Sequence, residues 1–164
     1  LRWIWIDKFV EFTSGVSATA IKNISLAEEH LHDLYPAFPI APHSLIIEGM
    51  AQTSGILVGE ARQFAEKVIL AKIGRASFHR LSRPGDTLAF HARIEQINEN
   101  GASIRGEVRC GQEKDSPLVA EIEIMFSHID KNMAGAAFPE HNFVFTEQFT
   151  ELLKSYRFGR EIGI

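Results

Sequence analysis

Between Ile40 and Gln63 the chain carries a helix that has to be enclosed. Pro42 and then Ser44 precede an unbroken apolar run. Proline suits a first helical turn, and a serine there can satisfy a free backbone N–H. From Leu45 to Val58 the apolar residues occupy every side of the helix rather than one stripe, the pattern of a helix buried all round. Glu48, Gln52, Thr53 and Ser54 lie inside it, and with its modest length they exclude a membrane span. Glu48, beside the small Gly49, is a single carboxylate in an apolar surround. Such a group needs a reason, because an unpaired buried charge is costly and usually answers with a raised pKa.

The surrounding pattern says what encloses this helix. Trp3 to Phe12 is aromatic and branched, Ser14-Gly15 marks a turn, and Ser17 to Ile24 reads as a second strand. Ser25-Leu26-Ala27-Glu28 has capping-box spacing, which predicts one or two helical turns carrying His30. Pro36, Pro39 and Pro42 then make a stiff extended loop. The central helix is expected to run to Phe64 or Ala65. Beyond it the period becomes two: Val68 to His79 with Gly74 as a bulge, then Leu88, Phe90, Ala92 and Ile94 alternating with more polar neighbours. Asn100-Gly101 is a hairpin signal, and Ala102 to Cys110 and Ala120 to Phe126 alternate in the same way. Clean alternation means an antiparallel sheet with one wet face. The fold class is α+β, one antiparallel sheet wrapped around one long helix over residues 1–130. Residues 131–164 form a C-terminal extension, in which Thr146 opens a short helix with Phe149, Leu152, Leu153 and Tyr156 on one stripe.

Composition narrows the function classes. The chain of 164 residues has a net charge of −4 and a sequence pI near 6.0, which argues against bulk nucleic-acid binding. Cys110 is the single cysteine, so neither a disulfide framework within the chain nor a Cys-rich zinc site is available. Leu1 to Asp7 is too short an apolar run for a signal peptide, and a cytoplasmic protein is expected. His79, His91, His128 and His141 show no metal spacing and read as structural. No metal or cofactor is expected.

The segment Tyr35-Pro36-Ala37-Phe38-Pro39-Ile40-Ala41-Pro42-His43-Ser44-Leu45-Ile46-Ile47-Glu48-Gly49-Met50-Ala51-Gln52, with the order of elements, resembles the beta-hydroxyacyl-acyl-carrier-protein dehydratases of the hotdog fold. Their motif runs His-Phe-Pro-Gly-x-Pro-Ile/Val-Met-Pro-Gly-Val-Leu-Ile-Ile-Glu-Ala-Met-Ala-Gln. Eleven positions match it in register: Pro36, Pro39, Ile40, Pro42, Leu45 to Glu48, and Met50 to Gln52. Arg83-Pro84-Gly85-Asp86 is similar to the family's downstream Pro-Gly-Asp. The likeness covers roughly residues 3 to 128, and a gapless match of that length is specific.

The resemblance implies a lyase of fatty acid biosynthesis, a homodimer or dimer of dimers, acting on acyl thioesters of acyl carrier protein or coenzyme A. In such enzymes a histidine removes the proton next to the thioester carbonyl. An acidic residue on the partner subunit's helix helps expel the beta-hydroxyl as water, and the helix N-terminus holds the thioester oxygen. Glu48 stands at the acidic position and the backbone of His43 at the helix start, while the histidine position is Leu34. Leucine accepts no proton, and losing a positioned base typically removes about two to four powers of ten in rate. His32, which would share a face with Leu34 in extended chain, and His43 are the candidate replacements. Pro42, Ile46, Met50, Gln52 and Phe78 are candidate substrate contacts. From Lys67 to Arg83 the charged residues are all positive (Lys67, Lys72, Arg75, Arg80, Arg83), a patch suited to the phosphates of a pantetheine arm or to an acidic carrier. Three readings stay open: a dehydratase, a thioesterase using Glu48, and a thioester-binding subunit without catalysis.

Overall fold

The computed structural model describes residues 3–33, 35–129, 135, 139–142 and 144–163. Leu34 lies outside them, as does most of the loop expected from Asn132 to Asn142. The elements are β1 (Lys8–Thr13), β2 (Ser17–Asn23), α1 (His30–Asp33), α2 (His43–Ala61), β3 (Val68–Phe78), β4 (Thr87–Ile97), β5 (Gly101–Cys110), β6 (Leu118–His128) and α3 (Glu147–Ile162). Six antiparallel strands form one sheet in the order β1-β2-β4-β5-β6-β3, and α2 lies across its inner face against β2 to β6.

The expected alternation is what the sheet uses. Leu88, Phe90 and Ala92 face the helix, as do Ala102, Ile104 and Val108, and Ala120, Ile122, Ile124 and Phe126, all buried. Two glycines bring helix and sheet together. A Cβ on Gly49 would overlap the buried Phe90 ring, and one on Gly106 would overlap the Met50 thioether. The helix therefore approaches the sheet at these two points more closely than side chains on both surfaces would permit.

Several boundaries differ from the expectations, each for a local reason. The first strand begins at Lys8 rather than Trp3, because the Trp5 N–H is taken by the Gln52 side chain of α2 (2.8 Å) instead of a neighbouring strand. The helix starts at His43 with Pro42 in the cap position and no side-chain cap bond, so Ser44 does not cap it. It ends at Ala61, before the expected Phe64. Gln63 and Phe64 take left-handed φ of 55° and 54°, and the Phe64 N–H closes on the Gly59 carbonyl (2.7 Å). The Ser25–Glu28 box does form, with Ser25 N–H donating to Glu28 (3.1 Å), but the helix that follows is only His30–Asp33.

Strand β3 is the other departure. Gly74 does sit in a register shift between Ile73 and Arg75, and a second shift lies between Leu70 and Lys72. Yet from Leu70 to Ala76 every residue is exposed, since β3 is an edge strand with β6 on one side only. In the tail, Leu153 of α3 is buried and Phe149, Leu152 and Tyr156 pack against the core. The expected stripe is therefore the face that docks, against β1.

Candidate active site

Glu48 stands in the second turn of α2, half-buried, and Gln52 follows one turn later, where i and i+4 side chains meet. Gln52 Nε2 donates to Glu48 Oε1 at 2.7 Å and to the Trp3 carbonyl at 3.1 Å. Its Oε1 accepts from the Trp5 N–H at 2.8 Å. The backbone fixes which way the amide points, because only the oxygen can accept from an N–H and only the nitrogen can donate to a carbonyl. Gln52 therefore presents a donor to Glu48, and the Glu48 oxygen facing it is held as an acceptor.

Both side chains line a cleft of about 370 Å³. It is lined by Ala51, Gly55 and Ile56 of α2, by Val68 to Leu70 at the start of β3 with Phe126 of β6, and by Val144, Phe145 and Phe149 of the tail. A carboxylate and one amide on an otherwise apolar cleft give room for an apolar group beside a single ionisable side chain, which makes this cleft the candidate site.

The other expected site residues lie elsewhere. His43 is exposed at the helix start, its ring stacked on Phe78 with centroids 3.9 Å apart and planes 2° apart. The structure thus brings His43 and Phe78 together. Five residues from Glu48, His43 projects about 140° away from it around the helix. The His32 Nε2 is 2.6 Å from the Leu26 carbonyl. Since a carbonyl only accepts, that nitrogen carries its hydrogen, and Nδ1 is the basic one. The neighbouring His30 sits edge-on to Trp5 at 5.3 Å, with Glu28 at 3.5 Å. Pro42 caps α2, and Ile46 and Met50 are fully buried between helix and sheet rather than in the cleft.

Three further histidines contact groups away from the cleft. His128 is wholly buried and paired with Glu66 at 3.0 Å, His91 bonds Thr19 at 3.0 Å, and His79 meets Glu121 at 3.1 Å. Burial and the neighbouring Asp86 push the Cys110 thiol up, away from the reactive thiolate. Of the basic run, Arg80 pairs with Asp86 at 3.6 Å and Arg83 lies over the Phe38 ring at 4.2 Å. Among the described residues no three His, Cys, Asp or Glu side chains are grouped as metal ligands, and no helix is long and apolar enough to cross a membrane. Of the cleft residues only Glu48 and Gln52 were expected, and Leu70, Phe126, Phe145 and Phe149 are among those that sequence reasoning missed. Alternation marks Phe126 as core-facing, but nothing local marks the two tail phenylalanines as lining the cleft of Glu48.

Comparison with known proteins fits this geometry. Residues 4–123 match the FabA-like domain family. The 3-hydroxyacyl-[acyl-carrier-protein] dehydratase FabZ of Listeria welshimeri is 35% identical over 129 residues, covering 78% of this chain and 87% of that protein. Among solved structures, smu.793 from Streptococcus mutans bound to acetyl CoA superposes with a TM-score of 0.61 at 14% identity, over 77% of this chain and 91% of that one. A hypothetical thioesterase from Streptococcus pneumoniae with coenzyme A gives 0.59 at 8% identity, over 73% and 83%. At such identities the two structures establish the shared architecture, the hotdog fold.

Proposed function

The chain belongs to the FabA-like family of 3-hydroxyacyl-acyl-carrier-protein dehydratases, and from that premise we propose that it acts in the cytoplasm on 3-hydroxyacyl thioesters, removing water to give the 2-enoyl thioester. The observation that carries this is Glu48 held by Gln52 at the wall of an apolar cleft, at the position where the motif resemblance puts the family's acid. In the elimination a base takes the α-proton, the electron pair forms the Cα–Cβ double bond, and the β-hydroxyl leaves with a proton as water. In the dimer Glu48 of the partner subunit supplies that proton, and the first turn of α2, which has no side-chain cap bond, is free to hold the charge that develops on the thioester oxygen. The α-proton goes to a displaced imidazole, with His32 through Nδ1 and His43 as the candidates. A carrier-protein thioester is the favoured substrate form, because the dehydratase relative is named for it. The unpaired edge of β3 supports a homodimer joined there.

A second reading has its own support. The rings of His30, His32 and His43 are engaged with Trp5, the Leu26 carbonyl and Phe78. A carboxylate without a cooperating imidazole suits hydrolysis, in which Glu48 would activate a water to attack the thioester carbon and release the thiol. One assay separates the readings by product. Wild type, Glu48→Gln and Leu34→His are incubated with 3-hydroxyacyl thioesters, and enoyl thioester and free thiol are quantified. The dehydratase reading expects enoyl product abolished by Glu48→Gln; an unchanged rate in Leu34→His assigns the α-proton to His32 or His43, and a rise of at least about a hundredfold, the low end for a positioned base, marks a site whose base was missing. Glu48-dependent thiol release without enoyl product establishes hydrolysis instead, and neither product establishes a binding subunit.

A further inference from the structure

The cleft beside Glu48 is not closed by the family domain alone. Val144, Phe145 and Phe149 lie beyond the matched span of residues 4–123, yet they line the same cavity as Glu48 and Gln52. We propose that this C-terminal segment is the end wall of the acyl pocket, and that Phe145 and Phe149 set the length of acyl chain the protein accepts. The inference deepens the thioester reading above and rests on it.

The segment is fastened where it needs to be for that role. Asn142 Nδ2 donates to the Phe64 carbonyl (3.0 Å) and the Glu66 carbonyl (3.1 Å), just past the end of α2. Its Oδ1 accepts from the N–H groups of Val144 (3.0 Å) and Phe145 (3.2 Å). One side chain thus clamps two backbones and fixes the entry to α3. Phe145 then lies on Gly59, where a Cβ would overlap the ring, and meets the edge of Phe64 at 5.1 Å. The left-handed backbone at Gln63 and Phe64 is what turns the Phe64 ring to this contact. Downstream, buried Leu153 and the Arg157–Glu60 ion pair hold α3 in place.

These positions give the pocket a direction. Glu48 lies eleven residues before Gly59 on α2, which is about 16 Å along the helix axis. A thioester reacting at Glu48 would lay its tail along Ala51 and Gly55, a small-residue strip of the helix, towards Phe149 and Phe145. Everything named beyond Glu48 and Gln52 is apolar, so the preferred tail is an unbranched hydrocarbon that stops at the two rings. A longer chain must displace aromatic side chains, and a shorter one leaves the end of the cleft unfilled.

The test measures binding without turnover. Wild type, Phe149→Ala and Phe149→Trp are titrated calorimetrically with S-alkyl coenzyme A thioethers of increasing chain length, which cannot be dehydrated or hydrolysed. Wild type should show a preferred length. Phe149→Ala should move it to longer chains and Phe149→Trp to shorter ones, changing the affinity ratio of neighbouring lengths by about tenfold or more, as a methylene in an apolar pocket does. Phe149→Leu replaces the alanine variant if the latter does not fold. Superimposable length profiles in folded variants, or a wild type that binds no thioether, would overturn the inference. A shifted profile in a protein that yields no enoyl product upholds it and removes only the dehydratase assignment. Enoyl formation with an unshifted profile does the reverse.

Discussion

Replacing Gln52 by leucine isolates what one amide contributes to both the site and the fold. Gln52 is 7% exposed and joins α2 to the entering chain through Trp5 N–H and Trp3 C=O, and to Glu48 through Nε2. Leucine fills similar space without polar atoms. It leaves the Trp5 N–H without its acceptor in a buried position, and a buried donor left so costs about 1–3 kcal/mol. The Trp3 carbonyl and the half-buried Glu48 regain water more easily, so they add less. The leucine's own burial returns part of the loss. The expected net destabilisation is about 2 kcal/mol, or roughly 4–8 °C in Tm for a chain of this size. Urea unfolding followed by circular dichroism reads it directly.

A second variant makes the sign unambiguous. Gln52→Glu keeps an acceptor for Trp5 but sets a carboxyl against Glu48 at hydrogen-bond distance, and two such groups raise the pKa of one of them. A carboxyl raised above its unfolded value of about 4.3 keeps its stability below that pH and loses it as pH rises through the folded value. The deficit of Gln52→Glu should therefore be small near pH 4 and grow towards pH 7, whereas that of Gln52→Leu should not. A Gln52→Leu protein within about 0.5 kcal/mol of wild type would refute the claim that this amide organises the segment.

Two further outcomes test other parts of the molecule. Burial, opposed by Glu11 and Glu107 and assisted by Arg109, holds the His91 imidazole below its usual pKa range, and Nε2 has no hydrogen-bond partner among the described residues. Its contribution should be complete above about pH 6.5 and be lost as pH falls through its lowered value, so the acid-side decline in Tm should be shallower in His91→Gln. For the proposed dimer, light scattering should give twice the monomer mass, with about 1,200–2,000 Å² buried. Gly74→Pro on the free edge should yield monomer, and a wild type that is monomeric across micromolar concentrations would end the shared-edge proposal.

Much of this architecture was readable in the chain because the signals were local. The alternation from Leu88 to Ile94 and from Ala102 to Cys110 marks the residues that face α2, and Gly74 sits where β3 loses register. Local signals fail where a distant group decides. Trp3 to Ile6 has strand composition, but its backbone partner is a glutamine side chain on α2. Asn100-Gly101 does mark the β4–β5 hairpin, yet Asn98 Oδ1 caps the turn by accepting from the N–H groups of Asn100 and Gly101. Gly101 itself opens β5, close to the Phe126 carbonyl. The helical stripe Phe149, Leu152, Leu153 and Tyr156 announced an apolar face without saying what it would cover. That Phe145 lines the same cleft as the catalytic candidate depends on Gly59, Phe64 and Asn142 together, and no periodicity records such a meeting.

The strand order carries a consequence for the sequence of folding events. β1–β2 and β4–β5–β6 join neighbours along the chain, and such pairings close cheaply and early. β3 instead pairs Val68 with His128 and Phe78 with Ala120, contacts of long sequence separation that are expected to close later than the neighbouring hairpins. The cleft is lined by both β3 and the tail, so its completion is expected late in assembly. A lesion in β3 or in the Asn142 clamp is therefore expected to leave a protein that is largely folded by circular dichroism and yet lacks the cleft proposed to hold a thioester. Function would then be lost while most of the structure stays.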